Sequence, residues 1–427
     1  MSLLNVFLGL GVAGIASAFL PRRVSAAIAT LALGLAILVI AVARPAGVLS
    51  IGGLELFEAK PVYNAMAVIL LVGELLVLLS TLDKLDNYSA PLVLMAVLGG
   101  LLILYSKSFI TLIAGMETSA AALAGLALRR SDDASREACL KYVFSSLFAA
   151  SLVVMGVALL AHDGIMVFAR PTSASGATVL GIALVFAGLA LEVGLAPFYL
   201  WLPDFVEGGD WLAVVTSLLA VDGFLLFTFF KLVDLLAPVI GFEMGVVLGL
   251  LSISSMIIGE FGALAQKNLR RMIGYSMVSD AGYAILLALA YALHGGGNLA
   301  VPAYFIVASN LSIALIVAST VHRHRDAVSV SEAIGILSLA GVPPFLGFPA
   351  KLLVIVAFAS IGFWWIALIA AVFFLVSAAY LFRRLMQASY KVFGGSELVL
   401  LAYGALLLIL GLCPDLPLAI AGGGIGW

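Results

Sequence analysis

Charge is scarce in this chain. Only 10% of its 427 residues are Asp, Glu, Lys or Arg, against about a quarter in a soluble domain, and 64% are hydrophobic. A water-soluble fold is excluded. Cysteine is nearly absent: Cys139 and Cys413 stand far apart, and the four histidines, His162, His294, His322 and His324, fall at helix ends or in loops. No zinc, haem or iron–sulfur spacing can be assembled from these residues, so no cofactor is expected in the chain itself. A formal charge of −2 without a long basic tract leaves no footprint for nucleic acid.

What is present is apolar length. Hydrophobic runs of roughly 18 to 26 residues, enough for a helix to cross a ~30 Å hydrocarbon core, alternate with short polar connectors. The first begins at Leu3 with no basic segment before it and no evident cleavage site after Phe19, so it reads as a retained helix and not a signal peptide. The pattern predicts an all-α integral membrane domain over 1–427 with about fourteen spans. They lie near 3–20, 24–43, 63–82, 89–106, 108–128, 136–161, 176–201, 211–232, 242–264, 269–293, 299–320, 332–361, 362–386 and 396–422. The connector from Arg44 to Pro61, with Gly52-Gly53 and alternating Leu54 and Leu56, reads as an external hairpin or loop.

The basic residues test this map, because positive charge gathers in cytoplasmic loops. One side receives Arg22, Arg23, Lys84, Arg129, Arg130, Arg136, Lys141, Lys267, Arg270, Arg271, Arg323, Arg325, Arg383, Arg384 and Lys391. The other receives Arg44, Lys60, Lys107, Arg170 and Lys231, and Lys351 alone falls inside a span away from its ends. The bias predicts an even number of spans with both termini outside.

Two spans carry interruptions. The seventh contains Leu195-Ala196-Pro197 and continues to Pro203-Asp204, and the twelfth contains Gly341-Val342-Pro343-Pro344 and continues to Gly347. Proline removes a backbone donor and blocks the helix behind it, and freed carbonyls at membrane depth are tolerated where protein or water satisfies them. A simple kink is the bland reading of a lone proline; a proline pair flanked by glycines favours a broken helix. The two breaks occupy comparable places in two five-helix blocks, 89–232 and 242–386, the mark of an internal repeat in a transporter.

Seven ionisable residues fall within spans: Glu74, Glu117, Glu192, Asp222, Glu260, Asp280 and Lys351. A charge at mid-bilayer costs at least about 2.5 to 3.5 kcal/mol and so requires a partner, water or a function. Any one of them serves equally well as a static ion pair. The set, spread over many helices and facing two breaks, favours a proton relay. Glu117 sits nearest the middle of its span, whereas Glu74 and Glu260 lie closer to span ends and are expected to reach interfacial water. Lys141, one or two turns into the sixth span, has two options: snorkelling to the surface or turning toward Glu117.

Several motifs in this chain carry a family resemblance. These are Gly115-Met116-Glu117; Glu137-Ala138-Cys139-Leu140-Lys141-Tyr142; Ala196-Pro197-Phe198-Tyr199 through Asp204 with Glu207-Gly208; Ala263 through Gln266-Lys267-Asn268-Leu269-Arg270-Arg271 to Ser276; and Leu337 through Pro344, Gly347 and Lys351. Over about residues 89–386 the chain resembles the antiporter-like membrane subunits shared by respiratory complex I (its N- and M-type subunits), membrane-bound hydrogenases and multisubunit sodium/proton antiporters. The resemblance implies fourteen helices with two inverted five-helix repeats and broken seventh and twelfth helices. It also implies a prokaryotic plasma membrane, partners among other antiporter-like and small membrane subunits, an indirect link to redox subunits, and protons or sodium as cargo. The electron chemistry of an NADH:quinone oxidoreductase or hydrogenase would then reside in those partners. Within complex I the likeness is greatest to the subunit adjoining the smaller membrane subunits, and the end at Trp427 leaves no long lateral helix. A stand-alone antiporter complex and a non-conducting scaffold subunit are the competing readings.

Carried over residue by residue, the resemblance makes Glu117 one member of an ion pair and Lys351 the base of the second half-channel. The seventh-helix lysine expected opposite Glu117 is missing: Glu192 stands in its place, and Ala220 stands where an eighth-helix lysine is usual, with Asp222 close by. Asp280 occupies a tenth-helix position that is neutral or His in many relatives. If Glu117 and Glu192 are neighbours, they should share a proton and titrate as a pair.

Overall fold

The computed structural model describes residues 2–130, 132–169, 175–293, 300–321, 327–386, 389–390 and 395–413. The readings that fall on Arg170, His294, His322, Arg323, His324, Arg325 and Lys391, and the last part of the fourteenth span, lie outside them.

The described residues are overwhelmingly helical, as expected where backbone polar groups must be satisfied within the chain. Helices α1 (Ser2–Ser17) and α2 (Arg22–Ala43) precede an antiparallel hairpin of β1 (Gly47–Ile51) and β2 (Leu54–Ala59), closed by Gly52 and Gly53 at φ 61° and 83°. Two successive positive φ angles suit a tight hairpin turn and favour glycine at both positions. The connector that reads as a hairpin or a loop is therefore a hairpin. Next come α3 (Pro61–Ser80), α4 (Ser89–Tyr105), α5 (Phe109–Ala127), α6 (Asp133–His162), α7 (Gly176–Glu192), α8 (Trp201–Gly208) and α9 (Trp211–Ser217). A π-helical turn at Leu218–Asp222 leads into α10 (Gly223–Ala265). The chain continues through α11 (Leu269–Leu293), α12 (Ala300–Thr320), α13 (Val330–Leu339), α14 (Gly347–Ser360), α15 (Trp364–Met386) and α16 (Gly395–Leu412), with a short parallel pairing of β3 (Ala327–Val328) and β4 (Ser389–Tyr390).

Nine helices among the described residues are long and apolar enough to cross a membrane, and six more are apolar but shorter. Two of the nine, Trp211–Leu236 and Met244–Ala265, meet within one stretch of helical backbone where a connector was expected. The residues on both sides are apolar, so a continued helix keeps their backbone groups paired.

Helix starts follow ordinary capping chemistry. Ser108, Asp132, Ser175, Asp210 and Ser329 each accept a backbone N–H one turn ahead. The helices approach closely at small residues, as membrane bundles do. A Cβ on Gly99 would lie 2.7 Å from the Gly115 carbonyl, and one on Gly282 would lie 2.6 Å from the Ser252 carbonyl. Close contact holds α4 against α5 and α10 against α11, which fixes the helices that carry the ionisable residues.

A chain of contacts gathers most described bases at the end of the bundle away from the hairpin. Arg22 donates to the carbonyls of Leu82 and Asp83. Arg129 bridges Asp86 and Asp210, Arg271 binds Asp204 and Glu207, Arg270 reaches the Gly209 carbonyl and Arg383 reaches that of Gln266. At the hairpin end, Lys231 departs from the sequence reading. The count places it with the bases of that side, yet it is turned into the bundle within α10 and is only 9% exposed.

Candidate functional site

The two interruptions are built alike. After α7, Gly194 N–H reaches the Leu191 carbonyl and Leu195 N–H the Ala190 carbonyl; after α13, Gly341 N–H reaches Ser338 and Val342 N–H reaches Leu337. This paired pattern is the Schellman helix stop, whose left-handed position favours glycine. Gly194 and Gly341 fill it at φ 69° and 78°. The prolines, Pro197 and the pair Pro343-Pro344, follow the stop and prevent the helix from resuming at once. Glycine ends each helix and proline keeps it ended, so Gly194 carries a role that the proline-centred reading missed.

Side chains near each break bond to its backbone groups. Trp201 Nε1 donates to the Leu191 carbonyl at 3.0 Å, Ser255 Oγ accepts Ala196 N–H at 2.6 Å, and Ser338 Oγ accepts Gly347 N–H at 3.3 Å. In this respect the breaks meet the condition for irregular backbone at membrane depth.

Lys351 lies in the first turn of α14, just beyond the second break. Its Nζ donates to Ser377 Oγ at 2.7 Å and stands 5.0 Å from the centre of the Phe374 ring. A Cβ on Gly341 would come within 3.1 Å of Lys351 Cδ, so the break itself makes room for the lysine stem. A cavity of about 10 Å³ separates Lys351 from Asp280, bounded also by Ser309 and Gly347. That is at the lower limit for one water. Asp280 accepts from Ser309 Oγ.

Glu260 differs from its expected place. It is 2% exposed, accepts from Ser279 Oγ at 2.8 Å, and lies close enough to Lys351 and Asp280 to feel both charges. Distance from a span end did not reveal that its face of α10 turns inward against α11. Glu74 is likewise fully buried, accepting from Thr216 Oγ1 at 2.8 Å. Neither reaches interfacial water. Glu74 Oε2 has no hydrogen-bond partner among the described residues, whereas Glu260 also interacts with the Tyr380 hydroxyl.

The acids of the first half gather around Glu192. Glu192 ends α7 at 8% exposure, accepts from Ser146 Oγ at 3.0 Å, and feels the charges of Glu117 and Asp222. Asp222 closes the π-helical turn and in turn feels Asp280. Glu117, expected to be buried, is exposed on the outside of the bundle. Mid-span position fixes depth in the bilayer but not which way the residue faces on α5. Lys141 takes the surface option: it pairs with Glu137 at 2.6 Å and Asp204 at 2.5 Å, at the charged end of the bundle.

The ionisable groups therefore form one electrostatically linked row: Glu117, Glu192, Asp222, Asp280, Lys351 and Glu260. Among the described residues no group of three or more His, Cys, Asp or Glu side chains is placed to hold a metal.

A row of linked charges beside two broken helices invites comparison with known ion-moving membrane subunits. The profile of the family described as "NADH:quinone oxidoreductase/Mrp antiporter, TM" matches residues 106–377. The chain belongs to this family. NADH-quinone oxidoreductase subunit N of Thiobacillus denitrificans is 29% identical over 425 residues, covering 89% of this chain and 86% of that protein. Subunit N of Chloroflexus aggregans is 30% identical over 328 residues, covering 70% and 66%. Among solved structures, a chain of respiratory complex I from Thermus thermophilus with bound aureothin superposes with a TM-score of 0.82 at 25% identity, over 98% of this chain and 100% of that one. A chain of the Mrp complex from Dietzia sp. DQ12-45-1b superposes with a TM-score of 0.83 at 18% identity, over 98% and 96%, a likeness of fold alone. The family match encloses both breaks and every member of the row, and leaves Glu74 and the β-hairpin outside it.

Proposed function

We propose that this chain is an antiporter-like, ion-translocating membrane subunit of a redox-driven assembly of the NADH:quinone oxidoreductase type, with protons as its cargo. The observation that carries the reading is the linked row from Glu117 to Glu260, which passes both breaks and joins the two halves of the chain. Hydroxyls attend it along its length: Ser146 at Glu192, Ser309 at Asp280, Ser279 at Glu260 and Ser377 at Lys351. A proton held on a carboxyl or an ammonium can pass through such groups and intervening waters as neighbouring charges change.

Two inverted repeats of five helices, 89–232 and 242–386, within fourteen crossings belong to the same reading, counting α7 with α8 and α13 with α14 as one broken crossing each. The matching helix stops at Gly194 and Gly341 support it. The concentration of bases at the end opposite the hairpin supports a cytoplasmic location for that end, in a prokaryotic plasma membrane and with both termini outside. The exposed Glu117 supports a neighbouring membrane subunit, since a carboxylate on a lipid-level surface requires a polar partner. In this arrangement Lys351, held between Asp280, Glu260 and Ser377, is the principal switching charge. Glu117, Glu192 and Asp222 form an all-acid first half, Asp280 joins the halves, and Lys141 anchors the charged end.

The test is proton pumping by the purified assembly in vesicles, with wild type compared with Glu117→Gln and Lys351→Met. The expected result is loss of coupling in Lys351→Met and a smaller loss in Glu117→Gln. Unchanged coupling in both would promote the scaffold reading. Sodium-dependent exchange without co-purifying redox subunits would assign the chain to a stand-alone antiporter complex.

A further inference from the structure

The proposed row leaves Lys231 unused, although it is an interior cation. It lies about 13 Å along the helix axis beyond Asp222, on the hairpin side. Phe224, Phe227 and Phe230, on the intervening turns of α10, are no more than 1% exposed. Lys231 opens onto a cavity of about 90 Å³, walled by Glu58, Lys60, Lys107, Asp234 and the rings of Tyr63 and Phe168. A space of this size accommodates several waters.

The ammonium is held on three sides. Nζ donates to the carbonyls of Ser106 at 2.8 Å and Leu104 at 3.2 Å, and it stands 4.8 Å from the Tyr63 ring centre and 5.3 Å from that of Phe168. Two of its three donors are thus engaged with the end of α4, which leaves one for the cavity. Among the described residues the ionisable groups facing the cavity are Glu58 from β2, Lys60 and Tyr63 from the start of α3, Lys107 from the α4–α5 link, and Asp234 from α10 itself. Glu58 ties them together, pairing with Lys60 at 3.2 Å and Lys107 at 3.9 Å and accepting from Tyr63 at 3.3 Å. A lysine that only capped α4 would need charge and reach. It would not need a polar vestibule leading to the surface.

We propose that Lys231 is a proton-exchange site at the hairpin end of the chain, passing protons between the Glu58-lined vestibule and the interior. The assignment rests on the ion-translocation reading above. In the release step one N–H bond of the ammonium breaks with its electron pair staying on nitrogen, and the proton passes to a vestibule water or to the Glu58 carboxylate and then to solvent. Reprotonation reverses these bonds.

The discriminating substitution is Lys231→Arg, because a guanidinium can still cap the α4 carbonyls but does not release its proton. Pumping is measured across a pH series with the whole purified assembly in vesicles, for wild type, Lys231→Arg, Lys231→Met and Glu58→Gln. The expected outcome is normal assembly of Lys231→Arg with pumping reduced tenfold or more, a similar loss in Lys231→Met, and a several-fold loss in Glu58→Gln. Wild-type pumping by Lys231→Arg at every pH would reduce Lys231 to a helix cap and overturn the site. If neither Lys231 variant assembles, Glu58→Gln decides, and an unaltered pH profile in that variant overturns the proposal. An assembly whose wild type moves no protons would sink the functional reading, and this site with it; full pumping by Lys231→Arg sinks the site alone.

Discussion

At the residue scale, the sequence located the ionisable groups but not their surroundings. Glu117 sits where a mid-span acid belongs, yet it faces out of the bundle, whereas Glu260, closer to a span end, is buried beside Lys351. Helix periodicity could not separate the two, because a helix that is apolar all round gives little hint of which face packs inward. The outcome gives Glu260 a definite expectation. Of the two acids near Lys351, it alone is fully buried, with the hydroxyls of Ser279 and Tyr380 beside it, a place suited to a carried proton. Glu260→Gln should slow proton pumping by on the order of 10²-fold, the scale of removing a positioned proton carrier. Glu74→Gln, equally buried but hydrogen-bonded to Thr216 outside the row, should pump at close to the wild-type rate. Equal effects of the two substitutions would show that burial, and not position in the row, sets the loss.

At the element scale, both breaks were legible because proline announces them. The stop itself was less so. A Schellman ending is defined by hydrogen bonds three and five residues apart and by one left-handed residue, and a glycine among many glycines does not declare that role. Gly341 has a second duty, since a Cβ there would press on Lys351 Cδ at 3.1 Å, whereas a Cβ on Gly194 would meet Leu202 Cδ2 at 2.8 Å. Alanine in the left-handed conformation costs roughly 1–2 kcal/mol at either position. Gly341→Ala and Gly194→Ala should therefore lower thermal stability by similar amounts. Only Gly341→Ala should also displace the lysine and cut pumping severalfold. Assembly, unfolding temperature and vesicle pumping measured on both variants separate the shared backbone cost from the effect specific to the site.

At the scale of the whole molecule, the division of charge between the two ends was legible from counting, and the packing that turns it into stability was not. Lys231 counts with the bases of the hairpin side because a tally treats every base near a span end as exposed; only the packing around α10 shows it enclosed. Arg129 shows the converse, a residue counted as one loop charge among many that ties three parts of the chain together. Its side chain is 10% exposed and bonds Asp86 before α4 at 2.9 Å, Asp210 at the start of α9 at 2.7 Å and the Lys84 carbonyl at 2.9 Å. Replacing it with Met would strand Asp210, whose side chain is 5% exposed, and breaking a buried pair in this way costs about 3–5 kcal/mol. Arg136→Met, which breaks the exposed pair with Asp133, should cost about 1 kcal/mol or less. The acid dependence should differ as well. Burial pushes the Asp86 carboxyl up, but its bonds from Ser89 and Arg129 outweigh that and hold it below the ordinary range. A group lowered on folding contributes stability that is complete above its ordinary value, near pH 4, and is lost as pH falls through the lowered one. Unfolding temperatures of the purified assembly from pH 3 to pH 7 should therefore fall toward acid in wild type and Arg136→Met. They should start lower and fall less steeply in Arg129→Met; parallel curves for all three would mean that Arg129 does not hold these elements together through Asp86.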